Sequence, residues 1–429
     1  MSTSTSNCCQ LTKVILLALG GIYLLWYVGV PHGDDPRYQL PSATTIVSIT
    51  GSKYKDVFVS LQGDQSLDRL CTVDDFTQGE WVRTPVKSRN NAHSFESKLD
   101  YFCKKDFYHR CYLRDDKEFA RGKEIAGWHW APSNCDKLEF DAYEFAKHLG
   151  KHPLLLVGDS ITQLQYESLS CLLGKYMDVV SRTKTNITGG DPSINPSQLV
   201  YAPEDGADDE TADKAPSLAY LRSDHLVRVD DLELIAPHEQ EGKLFTKGHN
   251  YAWVQAVEHF DYIVLNTGAH WHKNIEWGEH ESLEELMEAF RQGMSHVFAH
   301  LKEVIQPHQR VFIRSTPYGH AHCSKYTKPA LKPLAPPTGE PGEYEWHLFP
   351  LFDQVWKEWL EKERDPRFTF FDVAPMTNLR PDAHSRPDRD CLHTCLPGPV
   401  DDWNHFLQHE IGRRLLQEPA QDQSSEATA

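Results

Sequence analysis

From residue 153 onward, short apolar runs alternate with longer segments of helical periodicity, and this alternation restricts the fold more than any other feature. The runs Leu154–Val157, Tyr262–Leu265, Val311–Ile313 and Phe368–Val373 have the length of buried strands. Strands that alternate with helices form a parallel sheet that helices cover on both faces. We therefore predict an α/β domain, built as a three-layer parallel sheet, over residues 151–418.

Helical periodicity is clearest just after residue 281. Ser282 and Glu285 have the spacing of a capping box, apolar residues follow at helical spacing, and Pro307 ends the segment. Two further helices are predicted over Leu348–Leu360 and Trp403–Leu416. The sequence thus contains helices that can cover the sheet.

One long stretch between the predicted strands differs in composition. Residues 187–217 are rich in Gly, Pro, Asp and Glu, which predicts a mobile loop. Val227–Ile235 predicts one more strand. Asn186 begins the sequon Asn-Ile-Thr, and we expect a glycan on this residue.

An apolar run of 17 residues, Val14–Val30, lies near the N-terminus. As a helix it would span about 25 Å, which is the lower limit for crossing a bilayer. Lys13 precedes the run, and no small-x-small cleavage site follows it. We predict a transmembrane signal anchor over residues 13–30, after a cytosolic tail of residues 1–12. A cleavable signal peptide is the alternative.

The orientation of this anchor places the remaining chain in the secretory lumen, because a positive charge precedes the run and two aspartates follow it. We expect a stem over residues 31–70, a loop-rich subdomain stapled by disulfides over 71–150, and a disordered tail over 419–429. Eight cysteines follow the anchor, which is enough for four disulfides in an oxidising compartment. Structural zinc is the competing use, but the chain has no Cys-x-x-Cys pair.

The formal net charge of −18 excludes the classes of protein that need a basic surface. Nucleic-acid binding requires cationic side chains that displace counterions from phosphates. Anionic lipid surfaces impose the same requirement. We therefore expect no nucleic-acid partner, and contact with a membrane only through the N-terminal helix.

The first candidate for chemistry is Gly158-Asp159-Ser160, which follows the first strand of the predicted sheet. Ligands of such sheets bind beyond the carboxyl ends of the strands. A serine at the start of the next helix exposes its hydroxyl where backbone N–H groups and the helix dipole favour an oxyanion. The alternative is that Ser160 merely caps the helix.

The second candidate is Asp390 with His393, in a segment that Cys391 and Cys395 bracket. A serine hydroxyl needs a base to take its proton, and a histidine does so near neutral pH. A carboxylate three residues earlier can accept the other ring N–H. If both cysteines are in disulfides, the base is held in place.

The third candidate is the block that follows the strand Tyr262–Leu265. Its Asn266 amide can donate to an oxyanion from the side opposite Ser160. We expect Trp271 and nearby histidines to line a sugar cleft. Two pairs of closely spaced histidines, His270 with His272 and His320 with His322, could instead bind a metal, but we do not adopt this alternative. The expected oxyanion and substrate contacts are Gly158, Asp159, Asn266, Gly268, His270 and Trp271.

Together these motifs resemble the trichome-birefringence-like family of polysaccharide O-acetyltransferases, also described as PC-esterases, within the SGNH (GDSL) esterase group. The resemblance runs from Cys71 to about Leu407. Its blocks are Gly79-Glu80-Trp81-Val82, Trp128 to Asp136, Val157 to Ser160, Asn266 to Trp271, Arg380 to His384, and Asp390 to Asn404. The last block is long and specific.

The resemblance implies an SGNH-hydrolase-like (flavodoxin-like) fold with Ser160 as nucleophile, His393 as general base and Asp390 as its orienting partner. It implies that the protein binds no cofactor or metal and uses acetyl-CoA or another acetyl carrier as the acetyl donor. The implied acceptor is a polysaccharide or another glycan. The implied location of the protein is the Golgi or another secretory-pathway membrane. The disulfides it implies are Cys71–Cys135, Cys103–Cys171, Cys111–Cys395 and Cys323–Cys391.

The chain also departs from the family pattern. The family usually has Leu-x-Arg-Asn-Gln after the serine, whereas this chain has Ile161 to Gln165 without the Arg and Asn. Thr394 replaces the usual Trp. We therefore predict acetyl transfer to a glycan by a divergent member. A carbohydrate acetylesterase with the same three residues and a non-catalytic glycan-binding scaffold are the alternatives.

Overall fold

The computed structural model describes residues 57–180, 187, 197–202, 216–228, 233–234, 253–273, 280, 282–338 and 345–417. The predicted anchor, most of the stem, Asn186 and the tail 419–429 lie outside these residues. Within the described part, no helix has the length and apolar character needed to cross a membrane.

The strands predicted at Leu154, Tyr262, Val311 and Phe368 are present in the described residues, together with further strands and helices. The strands are β1 Gly79–Arg83, β2 Trp128–Pro132, β3 Leu154–Gly158, β4 Met177–Val179, β5 Ser197–Tyr201, β6 Leu218–Arg222, β7 Val227–Arg228, β8 Glu233–Leu234, β9 Tyr262–Leu265, β10 Arg310–Arg314, β11 Phe368–Phe371, β12 His384–Arg386 and β13 Asp390–Thr394. The helices are α1 Val73–Phe76, α2 Ala92–Leu99, α3 Asp116–Ile125, α4 Ala142–Leu149, α5 Ser160–Leu172, α6 Leu283–Val304, α7 Phe349–Glu363, α8 Ala374–Thr377 and α9 Pro399–Gln417.

The central sheet has seven strands in the order β11-β10-β9-β3-β6-β5-β4. The strands from β11 to β6 are parallel, as predicted. The last two, β5 and β4, pair antiparallel at one edge, so the sheet is mixed rather than wholly parallel. Antiparallel neighbours need no crossover helix, and the alternation of strands and helices therefore gave no sign of this edge.

Two predictions in this region were wrong. The stretch 187–217, predicted as a mobile loop, contains the paired strand β5. The single strand predicted over Val227–Ile235 is instead two short strands, β7 and β8, which pair with each other. The two-residue strands β7 and β8 are too short for periodicity to identify, and β5 has few apolar residues within a polar stretch.

Helices cover both faces of the sheet, which explains why every residue of β3 is buried. On one face, α6 and α7 contribute Phe290 and Trp356 to the core. On the other, α5 and α9 contribute Leu164 and Phe406. The capping box of α6 forms as predicted, with the Ser282 hydroxyl accepting from the Glu285 amide.

The Cys-rich segment packs against the α/β part through the antiparallel strand pair β1 and β2. The Trp81 indole donates to the Met376 carbonyl oxygen at 2.8 Å, and the Arg380 guanidinium lies over the Trp81 ring. The Trp130 amide donates to the buried Asp402 carboxylate at 2.9 Å. The segment therefore shares its buried surface with helices that follow it by more than two hundred residues.

The described part of the chain contains four disulfides, and they are the pairs that the resemblance implied: Cys71–Cys135, Cys103–Cys171, Cys111–Cys395 and Cys323–Cys391. The second and third join the Cys-rich segment to the α/β part. The third and fourth end in or directly after β13, the strand that carries His393.

Replacing Ser282 by Ala tests the capping box of α6. The loss of the side-chain acceptor should lower the free energy of unfolding by about 1 kcal/mol, measured in urea. Ser295→Ala in the same helix is the matched control, because Ser295 is exposed and should change stability by less than about 0.5 kcal/mol. Equal effects of the two substitutions would contradict the capping role.

Candidate active site

Ser160 is the first residue of α5 and follows β3 after one intervening residue. Asp159 is the N-cap, and its carboxylate accepts from the Ile161 amide at 2.9 Å. Asp159 therefore performs the capping that was the alternative role for Ser160. The Ser160 hydroxyl is half-buried and remains available for other contacts.

Glycine is required at residue 158 because of how closely the turn is packed. A Cβ atom there would lie 2.3 Å from Thr162 Oγ1 and 2.5 Å from the Asn266 carbonyl oxygen. Both distances are far below van der Waals contact. The turn that presents Ser160 therefore depends on the missing side chain of Gly158.

His393 approaches Ser160 from β13, which pairs antiparallel with β12. Its Nε2 lies 2.8 Å from Ser160 Oγ, and its Nδ1 lies 2.9 Å from Asp390 Oδ2. Because an ionised carboxylate can only accept, Nδ1 carries the proton and Nε2 is free to accept from the serine hydroxyl. The structure thus brings the three residues of the predicted relay together.

The second oxygen of Asp390 is also bound. Its Oδ1 accepts from the amides of Leu392 at 3.0 Å and His393 at 3.1 Å. Burial alone would raise the pKa of the Asp390 carboxyl, but the hydrogen bond and charge of His393, with these two amides, outweigh burial and lower that pKa. Asp390 is therefore ionised at neutral pH and orients the imidazole.

Asn266 does not have the free amide that the sequence predicted. It is fully buried, and its Nδ2 donates to the Arg314 carbonyl oxygen and to Thr316 Oγ1, both at 2.8 Å. Both amide hydrogens are therefore used between β9 and β10. The expected donation from Asn266 to an oxyanion is wrong for this arrangement, because the side chain turns into the sheet.

Trp271 also turns inward instead of lining a cleft. Only 1% of its surface is exposed, and its indole donates to Thr267 Oγ1 at 2.9 Å. Its ring meets Phe290 of α6 edge-on. Trp271 is therefore a core residue, and its predicted contact with substrate is wrong.

His270 is about one third exposed, and its Nε2 lies 3.7 Å from Asp224 Oδ1. Arg222 donates to the same carboxylate oxygen at 2.9 Å. Arg222 is the register partner of Gly158, so this polar group lies beside the turn that carries Ser160. Sequence reasoning missed Arg222 and Asp224 because it did not identify β6.

Gly268, two residues before His270, packs closely against Thr316.

His320, from the second histidine pair that suggested a metal, contacts a histidine of β12 instead. His320 Nδ1 and His384 Nε2 are 2.7 Å apart, and His320 Nε2 lies 3.0 Å from the Asn378 carbonyl oxygen. These nitrogens are engaged in hydrogen bonds within the fold. Across the described residues, no group of three or more His, Cys, Asp or Glu side chains has the arrangement of a metal site.

Two further residues lie near His393. Glu167 is on α5, where burial raises the pKa of its carboxyl to about 7 although Gln163 and His393 oppose the shift. His109, from the Cys-rich segment, stacks on the His393 ring with a centroid distance of 5.1 Å. Glu167 lies in the block after Ser160 that carries the family resemblance, but the sequence assigned it no role, whereas His109 belongs to no periodic pattern or motif that sequence alone would single out.

The chain is similar to known proteins over most of its length. The sequence model of the PC-esterase family, described as the GDSL/SGNH-like acyl-esterase family found in Pmr5 and Cas1p, matches residues 138–410, more than half of the chain. Trichome birefringence-like protein 13 of Arabidopsis thaliana is 24% identical over 80% of this chain and 85% of its own length.

Two similar proteins carry names that state an activity. Xyloglucan O-acetyltransferase 1 of Arabidopsis thaliana is 24% identical over 88% of this chain and 89% of its own length. Xylan O-acetyltransferase 6 of Oryza sativa subsp. japonica is 27% identical over 79% of this chain, which spans 62% of the rice protein.

The raised pKa of Glu167 makes stability depend on pH. Between about pH 4.5 and 7 the unfolded chain ionises this carboxyl while the fold keeps it protonated, so the free energy of unfolding should fall as the pH rises. In Glu167→Gln, the free energy of unfolding should no longer fall with pH on account of this carboxyl, a difference of up to about 3 kcal/mol. Urea titrations at several pH values measure this difference. The control Glu288→Gln changes an exposed residue. Parallel curves for wild type and Glu167→Gln would contradict the shift.

Proposed function

Because the chain belongs to the PC-esterase family of acyl-esterases, we propose that it is a polysaccharide O-acetyltransferase that works through an acetyl-serine at residue 160. One observation carries this proposal, the unbroken chain of hydrogen bonds from Ser160 through His393 to Asp390. Relatives named xylan and xyloglucan O-acetyltransferases support the choice of an acetyl group and a glycan acceptor.

In the first half of the proposed reaction, His393 Nε2 takes the Ser160 proton while Oγ attacks the carbonyl carbon of the acetyl donor. Asp390 stabilises the imidazolium that forms and keeps its ring oriented. The bond between the acetyl group and its carrier then breaks, and the carrier leaves with the proton from His393. The products are acetyl-Ser160 and the deacetylated donor.

In the second half, a hydroxyl of the glycan replaces the carrier. His393 takes the proton of this hydroxyl as its oxygen attacks the acetyl carbonyl. The ester bond to Ser160 breaks, and Oγ recovers the proton from His393. The enzyme is regenerated, and the glycan carries the acetyl group.

Both tetrahedral intermediates place a negative charge on the former carbonyl oxygen. Since Asn266 uses its amide elsewhere, we assign the stabilisation to the Ser160 backbone N–H, which has no acceptor within α5 because it starts that helix. The positive end of the helix dipole adds to it. Asp159 and Gly158 support this donor indirectly by fixing the turn.

We propose that the acetyl donor is a co-substrate, acetyl-CoA or another acetyl carrier. We also propose that the protein is located in the secretory pathway, because its four disulfides suit an oxidising compartment such as the secretory lumen. A carbohydrate acetylesterase would use the same three residues with water as acceptor. The two activities differ in how well the site excludes water.

Ser160→Ala should abolish covalent labelling by a fluorophosphonate probe and lower acetyl transfer by at least about a thousandfold. Thermal unfolding should stay close to wild type, because the half-buried hydroxyl has no part in the core. Ser133→Ala, at an exposed residue, is the matched control and should label normally. Undiminished transfer by Ser160→Ala would exclude the mechanism, and an unlabelled wild type would favour a non-catalytic scaffold.

Transfer and hydrolysis are separated by two incubations, one with acetyl donor plus bare glycan and one with acetylated glycan in water. We expect purified protein to acetylate bare xylan or xyloglucan oligosaccharides in the presence of acetyl-CoA, with the products detected by mass spectrometry. Acetylated oligosaccharides in water should lose acetyl groups much more slowly. Rapid deacetylation with no transfer would instead identify the acetylesterase, while both reactions should vanish in Ser160→Ala.

A further inference from the structure

We propose that His109, which the Cys-rich segment contributes, is a positioning residue that holds the His393 imidazole in the plane facing Ser160. This inference rests on the proposed function, since it assumes that His393 is the base. It adds a role for the Cys-rich segment, which otherwise supplies no side chain to the hydrogen-bonded relay.

The two rings are nearly parallel. Their centroids are 5.1 Å apart and their planes differ by 11°, which is an offset stack. Ser160 and Asp390 hold the His393 ring through nitrogens at its edge. His109 covers one face of the His393 ring and therefore prevents that ring from tilting out of its plane. The hydrogen bonds at the edge of the ring restrain this tilting only weakly.

His109 is itself held independently of His393. Its Nδ1 lies 2.8 Å from the Ser385 hydroxyl on β12, and its carbonyl oxygen accepts from the Leu396 amide at 2.8 Å. Two residues farther along, Cys111 forms the disulfide with Cys395. These contacts join the His109 loop to the hairpin that carries His393 and to the residues directly after it, so the backbone around His109 is tied to the backbone around His393.

The stack matters most in the second half of the reaction. In the acetyl-enzyme, Ser160 Oγ is esterified and has no proton to donate, so His393 keeps only Asp390 as a partner for its ring nitrogens. The ring must nevertheless stay aligned until the acceptor hydroxyl arrives. A stacking partner that is fixed elsewhere supplies this alignment, and small errors of placement are costly at this step.

The charge state of His109 suits this role. Burial, and after it the charge of His393, lowers the pKa of His109 to about 3, so the ring is neutral in the working range. Arg114 and Arg386 favour the same neutral state. A neutral ring can stack on the imidazolium that forms during catalysis without repelling it.

The test uses the full chain and p-nitrophenyl acetate, whose acyl transfer to water reports both half-reactions. His109→Ala should lower kcat about 10- to 100-fold and lower KM with it, because slower deacylation lets the acetyl-enzyme accumulate. Because deacylation should slow more than acylation, a burst of p-nitrophenol should precede the steady state. His109→Phe keeps a stacking ring without nitrogens and should restore most of kcat.

Two variants separate positioning from general disruption. Ser385→Ala removes only the partner of His109 Nδ1 and should give a smaller loss of kcat in the same direction. His93→Ala changes an exposed histidine of the same segment and should match wild type. Thermal unfolding of each variant tests whether the fold is kept, and if His109→Ala does not fold, the comparison rests on His109→Phe and Ser385→Ala.

The inference fails if folded His109→Ala retains wild-type kcat, or if Ser385→Ala does so when His109→Ala cannot fold. It also fails if His109→Phe is as impaired as His109→Ala, because the ring nitrogens would then act directly on the substrate. Ser160→Ala in the same assay separates the two proposals. If that variant stays active, the proposed function is wrong, whatever the His109 variants show.

Discussion

The hydrogen bond between Ser160 Oγ and His393 Nε2 is the interaction on which the site depends. It joins residues that are 233 positions apart in the chain, so neither local structure nor helix propensity can form it. The end of β3 fixes one partner. The other lies on a short hairpin, which the disulfides Cys323–Cys391 and Cys111–Cys395 tie to the rest of the fold on both sides of the histidine.

The buried interior behind this bond explains the departures from expectation. Asn266 and Trp271 come from the block expected to touch substrate, yet both form hydrogen bonds within the core. Asn266 joins the ends of two adjacent strands, and its own carbonyl oxygen approaches the space where Gly158 has no side chain. Asn266 thereby packs against the turn that carries Ser160, and the proposed mechanism assigns oxyanion binding to the backbone at the start of α5.

Much of the fold follows from the sequence, because buried parallel strands and amphipathic helices leave clear patterns. The strands β3, β9, β10 and β11 and the capped helix α6 were predicted in this way. The relay residues followed from the order of motifs along an α/β sheet. The antiparallel edge did not, since its strands are short and lie within or beside a polar insertion. Side-chain direction at Asn266 and the stacking of His109 were also unpredictable, because both depend on tertiary packing that no local pattern records.

The covalent intermediate at Ser160 is the central claim of this account. The most direct measurement is peptide mass spectrometry of the protein, quenched seconds after it is mixed with an acetyl donor and no acceptor. The account predicts one added acetyl group on the peptide that contains Ser160, and its disappearance once a glycan acceptor is supplied. Acetylated glycan formed while that peptide stays unmodified at every time point, or an acetyl group on another residue that the acceptor removes, would contradict it.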